Sequence, residues 1–129
     1  MINRAGTHTL LTHHRKLDRW LQLGGHADGQ ANILEVALRE AREESGITDV
    51  VPVSPAIFDV DIHRIPARRD EPAHDHYDVR FAVHTVTTDQ FMVSHESHAL
   101  CWVEMTRLSD ITHEPAMLRM HQKWQNGRA

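Results

Sequence analysis

The stretch from Gly25 to Ile47, GHADGQANILEVALREAREESGI, decides the reading of this chain. Gly24 to Gln30 holds three glycines in seven residues and reads as a loop. Asn32 is a suitable N-cap for a helix over Ile33 to Ser45. Within it Leu34, Ala37, Leu38 and Ala41 fall at i, i+3, i+4 and i+7, one buried stripe, and Gly46 ends the run as a C′ residue does. Glu40, Glu43 and Glu44 stand at i, i+3 and i+4, so they share a face well separated from that stripe. Like charges so close repel by a few tenths of a kcal/mol per pair. A cluster of hard oxygen donors is what Mg²⁺ or Mn²⁺ requires, and a bound cation removes the repulsion. The glycines before the helix allow close backbone approach, so a carbonyl could add a ligand. Three glutamates on a helix are equally compatible with a solvated acidic face, and Glu35 with Arg39 at i, i+4 suits that alternative.

Outward from this segment the pattern alternates between strand and helix. Thr7 to Thr12 is β-prone, His13 to Arg19 reads as a turn, and Trp20 to Leu23 as a short strand entering the glycine loop. Phe58, Val60 and Ile62 alternate with Asp59, Asp61 and His63 as in a strand. His63 to Ala73, with two prolines and Arg64, Arg68 and Arg69, reads as an exposed loop, solvated or able to reach a phosphate. Tyr77, Val79, Phe81 and Val83 alternate with His76, Asp78, Arg80 and His84 in the clearest strand of the chain. Ala99 to Val103 is a shorter strand. Met117, Met120, His121 and Trp124 share a helical face, with Pro115 near the helix start. Interleaved strands and helices predict an α/β or α+β class.

The remaining bounds are set by composition. The 129 residues, with no repeat and no Ser/Gly-rich linker, predict a single domain spanning 1–129. A net charge of −4 argues against general nucleic-acid binding. Cys101 is the only cysteine, which excludes an internal disulfide and a thiolate metal cage. No apolar run approaches the roughly 20 residues needed to cross a bilayer, and Met1 to Gly6 lacks the apolar core of a signal peptide, so a cytoplasmic location is expected. Twelve histidines are unusually many, and histidine both ligates metals and titrates near neutrality. His74, His76, Asp78 and Arg80 alternate and share one strand face, open to solvent, substrate or a metal. As a zinc set they are incomplete on spacing alone.

The segment Gly25 to Ile47 resembles the Nudix box, G-x5-E-x7-R-E-U-x-E-E-x-G-U, where U is a bulky aliphatic residue. Gly25 matches the first glycine, Arg39-Glu40 the R-E pair, Glu43-Glu44 the E-E pair and Gly46-Ile47 the closing G-U, all at the correct spacing. There are two departures. Ala31 stands in place of the first glutamate, and Ala41 in place of a larger aliphatic residue. Asp28 and Glu35 are the nearest carboxylates that could replace the one missing at Ala31. Leu21 to His26 is similar to the strand that enters the box in many members, and Trp102-Val103 to a later strand with its tryptophan.

The resemblance implies a Nudix-like α/β/α sandwich with a mixed sheet. The family usually has a strand before Thr7, and part of it is expected to be missing here. It also implies a hydrolase that cleaves a diphosphate linkage in a nucleoside diphosphate derivative, with Mg²⁺ or Mn²⁺ as cofactor and water as nucleophile. The metal ligands implied are Glu40, Glu43, Glu44 and the Gly25 carbonyl, and Arg39 would orient a catalytic glutamate through a charged hydrogen bond. The general base falls to Glu96, shortly before the Cys101 to Val103 strand, or to Glu43. Arg80, His76 and Asp78 are candidate substrate contacts. Trp20, Phe58, Tyr77 and Trp102 are read as core packing, with base stacking the alternative.

Two other functions remain open on sequence: a catalytically weak or inactive Nudix module that senses a nucleotide, supported by Ala31, and a zinc protein built on the histidines. The expected partner is a small, nucleotide-derived diphosphate, with no membrane; a homodimer is left open.

Overall fold

The computed structural model describes residues 1–95 and 97–127. The strands are β1 (His8–His14), β2 (Arg19–Gln22), β3 (Val50–Pro52), β4 (Asp59–Ile65), β5 (His74–Arg80), β6 (Val83–Thr85) and β7 (Ser97–Glu104), and the helices are α1 (Ile33–Ser45) and α2 (Pro115–Gly127). A 3-10 turn, Met105–Asp110, joins β7 to the approach to α2. β1 lies between β2 and β7, antiparallel to both, and β3 pairs with β6. Ile2 links these pieces with an antiparallel bridge to Thr9 and a parallel bridge to His84. The parallel bridge makes the sheet mixed.

The helices cover opposite faces of this sheet. Leu38 and Ala41 of α1 pack with Ile47, Val50 and Val83, and Trp102 rests against that cluster. Met117 of α2 packs with Leu11, Val103 and Leu108. Successive strand residues point to opposite faces, so the neighbours Trp102 and Val103 serve one layer each. This is the α/β/α sandwich.

α1 spans the residues its periodicity predicts. The Asn32 side chain accepts the Glu35 N–H, a cap that contributes about 1 kcal/mol. At the other end Gly46 has φ 71°, and its N–H donates to the Arg42 carbonyl. A side chain at Gly46 would be strained by that φ and would press on Met92 as well. The buried face is not quite the predicted stripe: Val36, Ser45 and Glu44 are buried, while Leu34 and Ala37 are only partly so.

Three sequence expectations need correction. β1 runs on to His14 and β4 to Ile65, so the predicted turn and the His63–Ala73 loop are both shorter, and Arg64 lies in a strand. The long strand expected through Tyr77 to Val83 is two strands in different sheets. β5 pairs with β4, while the chain breaks at Phe81-Ala82 and β6 goes to β3. Tyr77, read as core, is 60% exposed, with Ile62, opposite it across the hairpin, at 58%.

The cause of the last inversion is an ion-pair cluster. The β4–β5 hairpin turns its polar face inward. Asp59, 2% exposed, accepts two hydrogen bonds from Arg119 of α2, at 2.9 and 2.6 Å, and one from Lys123 at 2.6 Å. Arg80 of β5 adds a bond to Asp59 at 3.1 Å and one to Asp61 at 2.7 Å. The Arg119 hydrogen bond is the largest influence holding the Asp59 carboxyl far below the usual carboxylate range, burial opposes it, and the Lys123 bond adds to it. The Arg80 and Arg119 bonds likewise lower Asp61.

Since the folded pKa of Asp59 lies below its unfolded value of about 3.9, the stability it contributes is complete above that pH. It is lost as acid carries the solution down toward the folded value. Asp59→Asn is expected to cost roughly 2–3 kcal/mol at pH 7, less than a fully buried pair would lose because Arg119 and Lys123 remain part-hydrated. Urea midpoints measured between pH 6 and pH 2.5 should fall less steeply for the variant than for the parent.

Candidate active site

The glycine loop and α1 meet at the end of β2. Glu44, 9% exposed, accepts the Gly24 N–H through Oε1 at 3.2 Å. One turn earlier, the Glu40 carboxylate lies against Gly25, where any Cβ would overlap its carboxyl group. Gly25 is therefore needed for room, not for an unusual backbone angle. Glu43 is exposed, and Arg39 pairs with Glu40 at 3.7 Å, an ion pair longer than the hydrogen bond expected of it. The three glutamates share one helical turn, but among the described residues their carboxylates do not all converge on one point.

Glu40 and Glu44 line a cavity of about 820 Å³ together with Gly24, Gly25, His26 and Ala27. Asp28, Ala31, Glu35 and Glu43 are not part of its wall. Asp28 sits in a left-handed turn at φ 49°, and both it and Glu35 are exposed. Glu96 lies outside the described residues.

The same cavity reaches His76, Asp78 and Arg80. Arg80, whose side chain is 14% exposed, is held by Asp59 and Asp61 and stands 3.5 Å from Asp78. His76 Nε2 lies 3.0 Å from Asp78 Oδ1. His63, directly opposite His76 on β4, lies 3.3 Å from Asp78 Oδ2. His74, expected with this row, is exposed and contacts the Pro72 carbonyl. Sequence spacing missed His63 as a member because it lies on another strand. It also missed Asp59, Asp61, Arg119 and Lys123 as a cluster. The alternation of Asp59, Asp61 and His63 was the available signal, but the cross-strand register was not readable.

The NUDIX domain family model matches residues 1–124. The chain belongs to the Nudix family. Its fold is similar to that of a C. elegans Ap4A hydrolase, at TM-score 0.72 and 19% identity, covering 98% of this chain and 90% of that one. It is also similar to a NUDIX-family hydrolase from Clostridium perfringens, at TM-score 0.71 and 20% identity, covering 96% and 91%. A Nudix hydrolase from M. smegmatis, RenU, follows at TM-score 0.64 and 16% identity, covering 98% and 79%. No curated protein matches the chain. As a member of this family the protein is a hydrolase of diphosphate bonds, and Nudix hydrolases generally use divalent metals. None of the described helices is long and apolar enough to cross a membrane.

The box residues present fit such an ion. Two carboxylates, one buried, are pressed onto a turn with no side chain of its own, so hard oxygen donors and backbone are brought together without steric cost. Gly25→Ala should displace the flexible Glu40 carboxylate and leave the backbone in place. Metal-dependent hydrolysis is expected to fall roughly tenfold or more, as for a misplaced catalytic group. The thermal midpoint should stay close to that of the parent, and steady-state kinetics with a melting curve would check both.

Proposed function

We propose that this Nudix hydrolase cleaves the diphosphate linkage of a nucleoside diphosphate derivative, with Mg²⁺ or Mn²⁺ held by Glu40, Glu43, Glu44 and the Gly25 carbonyl. The observation that carries this reading is the convergence of Glu40 and Glu44 on the Gly24-Gly25 turn, in the wall of the cavity of about 820 Å³. A divalent ion bound there would screen the diphosphate and stabilise charge developing on the transferred phosphorus. Arg39 restrains the Glu40 carboxylate from its exposed side. Gly24 holds the Glu44 carboxylate through its N–H, so that one oxygen is fixed in direction. The general base is assigned to Glu96, with exposed Glu43 the competing candidate if it does not ligate the ion.

His76, Asp78 and Arg80 form the part of the wall assigned to substrate. A nucleotide-derived substrate is favoured by the size of the cavity and by the similarity to a protein that is an Ap4A hydrolase. Phe58 lines the same cavity and offers a ring for stacking a base, whereas Tyr77 is turned outward on the hairpin.

A panel of nucleoside diphosphate derivatives assayed for phosphate-bearing products with Mg²⁺ or Mn²⁺ tests the proposal. Turnover is expected with at least one of them; ligand binding without turnover of any would favour the sensor reading. Glu43→Gln and Glu44→Gln should each lower kcat on the order of a hundredfold with the fold retained by circular dichroism. Full activity in both variants would exclude the assigned ligands. Ala31→Glu should not lower activity; a large loss would mean that the loop has a different shape around the ion.

A further inference from the structure

We propose that His63, His76 and Asp78 form a second metal site, for a zinc-class ion, separate from the box glutamates. Each residue offers one ligand atom, and these atoms all lie within 4.8 Å of one another. The two imidazoles come from different strands, paired residue to residue, with ring centroids 4.9 Å apart. Both present Nε2 to the same carboxylate, His63 at 3.3 Å from Oδ2 and His76 at 3.0 Å from Oδ1. Ligand atoms on a tetrahedral ion with bonds of ~2.1 Å stand roughly 3.4 Å apart; each imidazole already lies at about that distance from one oxygen of Asp78, and closing the full set from within 4.8 Å needs only side-chain rotation.

The ligand chemistry selects the ion. Two imidazoles and one carboxylate suit zinc, cobalt or nickel, whereas magnesium prefers an all-oxygen shell.

Asp78 is available for this role. Its cationic neighbour Arg80 stands 3.5 Å from it but makes its short contacts, 2.7 and 3.1 Å, to Asp61 and Asp59. Asp59 and Asp61 also receive Arg119, and Asp59 receives Lys123, so two carboxylates serve three cations and Asp78 is a third carboxylate of the cluster that Arg80 approaches only to 3.5 Å. Three protein ligands leave one position of a tetrahedral shell for water or an anionic ligand, the arrangement of zinc sites that act on a substrate. His76 and Asp78 line the cavity that Glu40 and Glu44 also line, and all three ligands line a smaller cavity of about 520 Å³ beneath the hairpin. An ion there would face an anionic group of the molecule that fills the larger cavity. The proposal stands independently of which residues hold magnesium.

The full chain, stripped with a chelator and kept in excess Mg²⁺ to occupy oxygen-rich sites, would be titrated with CoCl₂. We expect one equivalent of Co²⁺ to bind with visible d–d absorption, and ZnSO₄ to displace it. His63→Gln and Asp78→Asn should each weaken Co²⁺ binding at least tenfold, while Glu44→Gln should leave it unchanged. Absence of stoichiometric Co²⁺ uptake would overturn the site. So would uptake unaltered by His63→Gln, which would place the ion on other histidines, or uptake lost in Glu44→Gln, which would place it on the box. Asp78 is partly buried; if its variant misfolds by circular dichroism, His63→Gln decides, because that side chain is 52% exposed and its loss leaves the packing intact.

Discussion

The structure depends on one helix having to satisfy two environments at once. Leu38 and Ala41 of α1 must bury against Ile47, Val50 and Val83, which fixes how the helix is rotated about its axis. That rotation leaves Glu40 and Glu44 no choice but to meet the chain arriving from β2. A carboxylate under a backbone turn is costly unless the turn supplies donors and lacks side chains. Gly24 donates its N–H to Glu44, and Gly25 leaves room for Glu40, so the cost is met locally. The helix ends are fixed too, by the Asn32 cap and the left-handed Gly46, so the carboxylates cannot shift along the helix axis.

The second constraint lies on the far side of the cavity. The β4–β5 hairpin has a polar face and an apolar face, and the polar one is inside. Asp59 forces this, because Arg119 and Lys123 of α2 can reach it only if it points inward. Once Asp59 is turned in, strand alternation carries Asp61 and His63 with it, and across the ladder Arg80, Asp78 and His76. The same pleat turns Val60, Ile62 and Tyr77 outward. A part-buried ion-pair cluster costs desolvation to form, but removing one partner would leave the buried Asp59 carboxylate under-compensated. It therefore acts as a register pin, aligning the histidine pair with the carboxylate next to it.

These two walls are joined by the cavity, and their chemistry differs. The box wall offers carboxylates and backbone, suited to hard cations. The hairpin wall offers imidazole and carboxylate among guanidinium groups, suited to softer ions or to anionic substrate groups. A diphosphate lying between them would meet cation-bearing chemistry on both sides, which suits a reaction whose transition state concentrates negative charge.

Much of α1 was legible in the chain itself, because every determinant of it is local. Its cap, its apolar period, its terminal glycine and the i, i+3, i+4 glutamates lie within 23 consecutive residues, and the box pattern reads them together. Most strands were legible as alternating or β-prone runs, since pleating is a property of each segment alone; β3, three residues long, was not read. Which face of β4 and β5 would be inside was not, because it is settled by Arg119 and Lys123, some 60 residues away in sequence. The break between β5 and β6 was hidden for the same reason: the two halves are claimed by different partners, β4 and β3. His63 could not be recognised beside His76 until the register of that ladder was known. Sequence by itself determined the helix, its carboxylates and the family. Tertiary structure alone decided which residues face one another across strands, because burial and pairing energies depend on distant partners that no local pattern encodes.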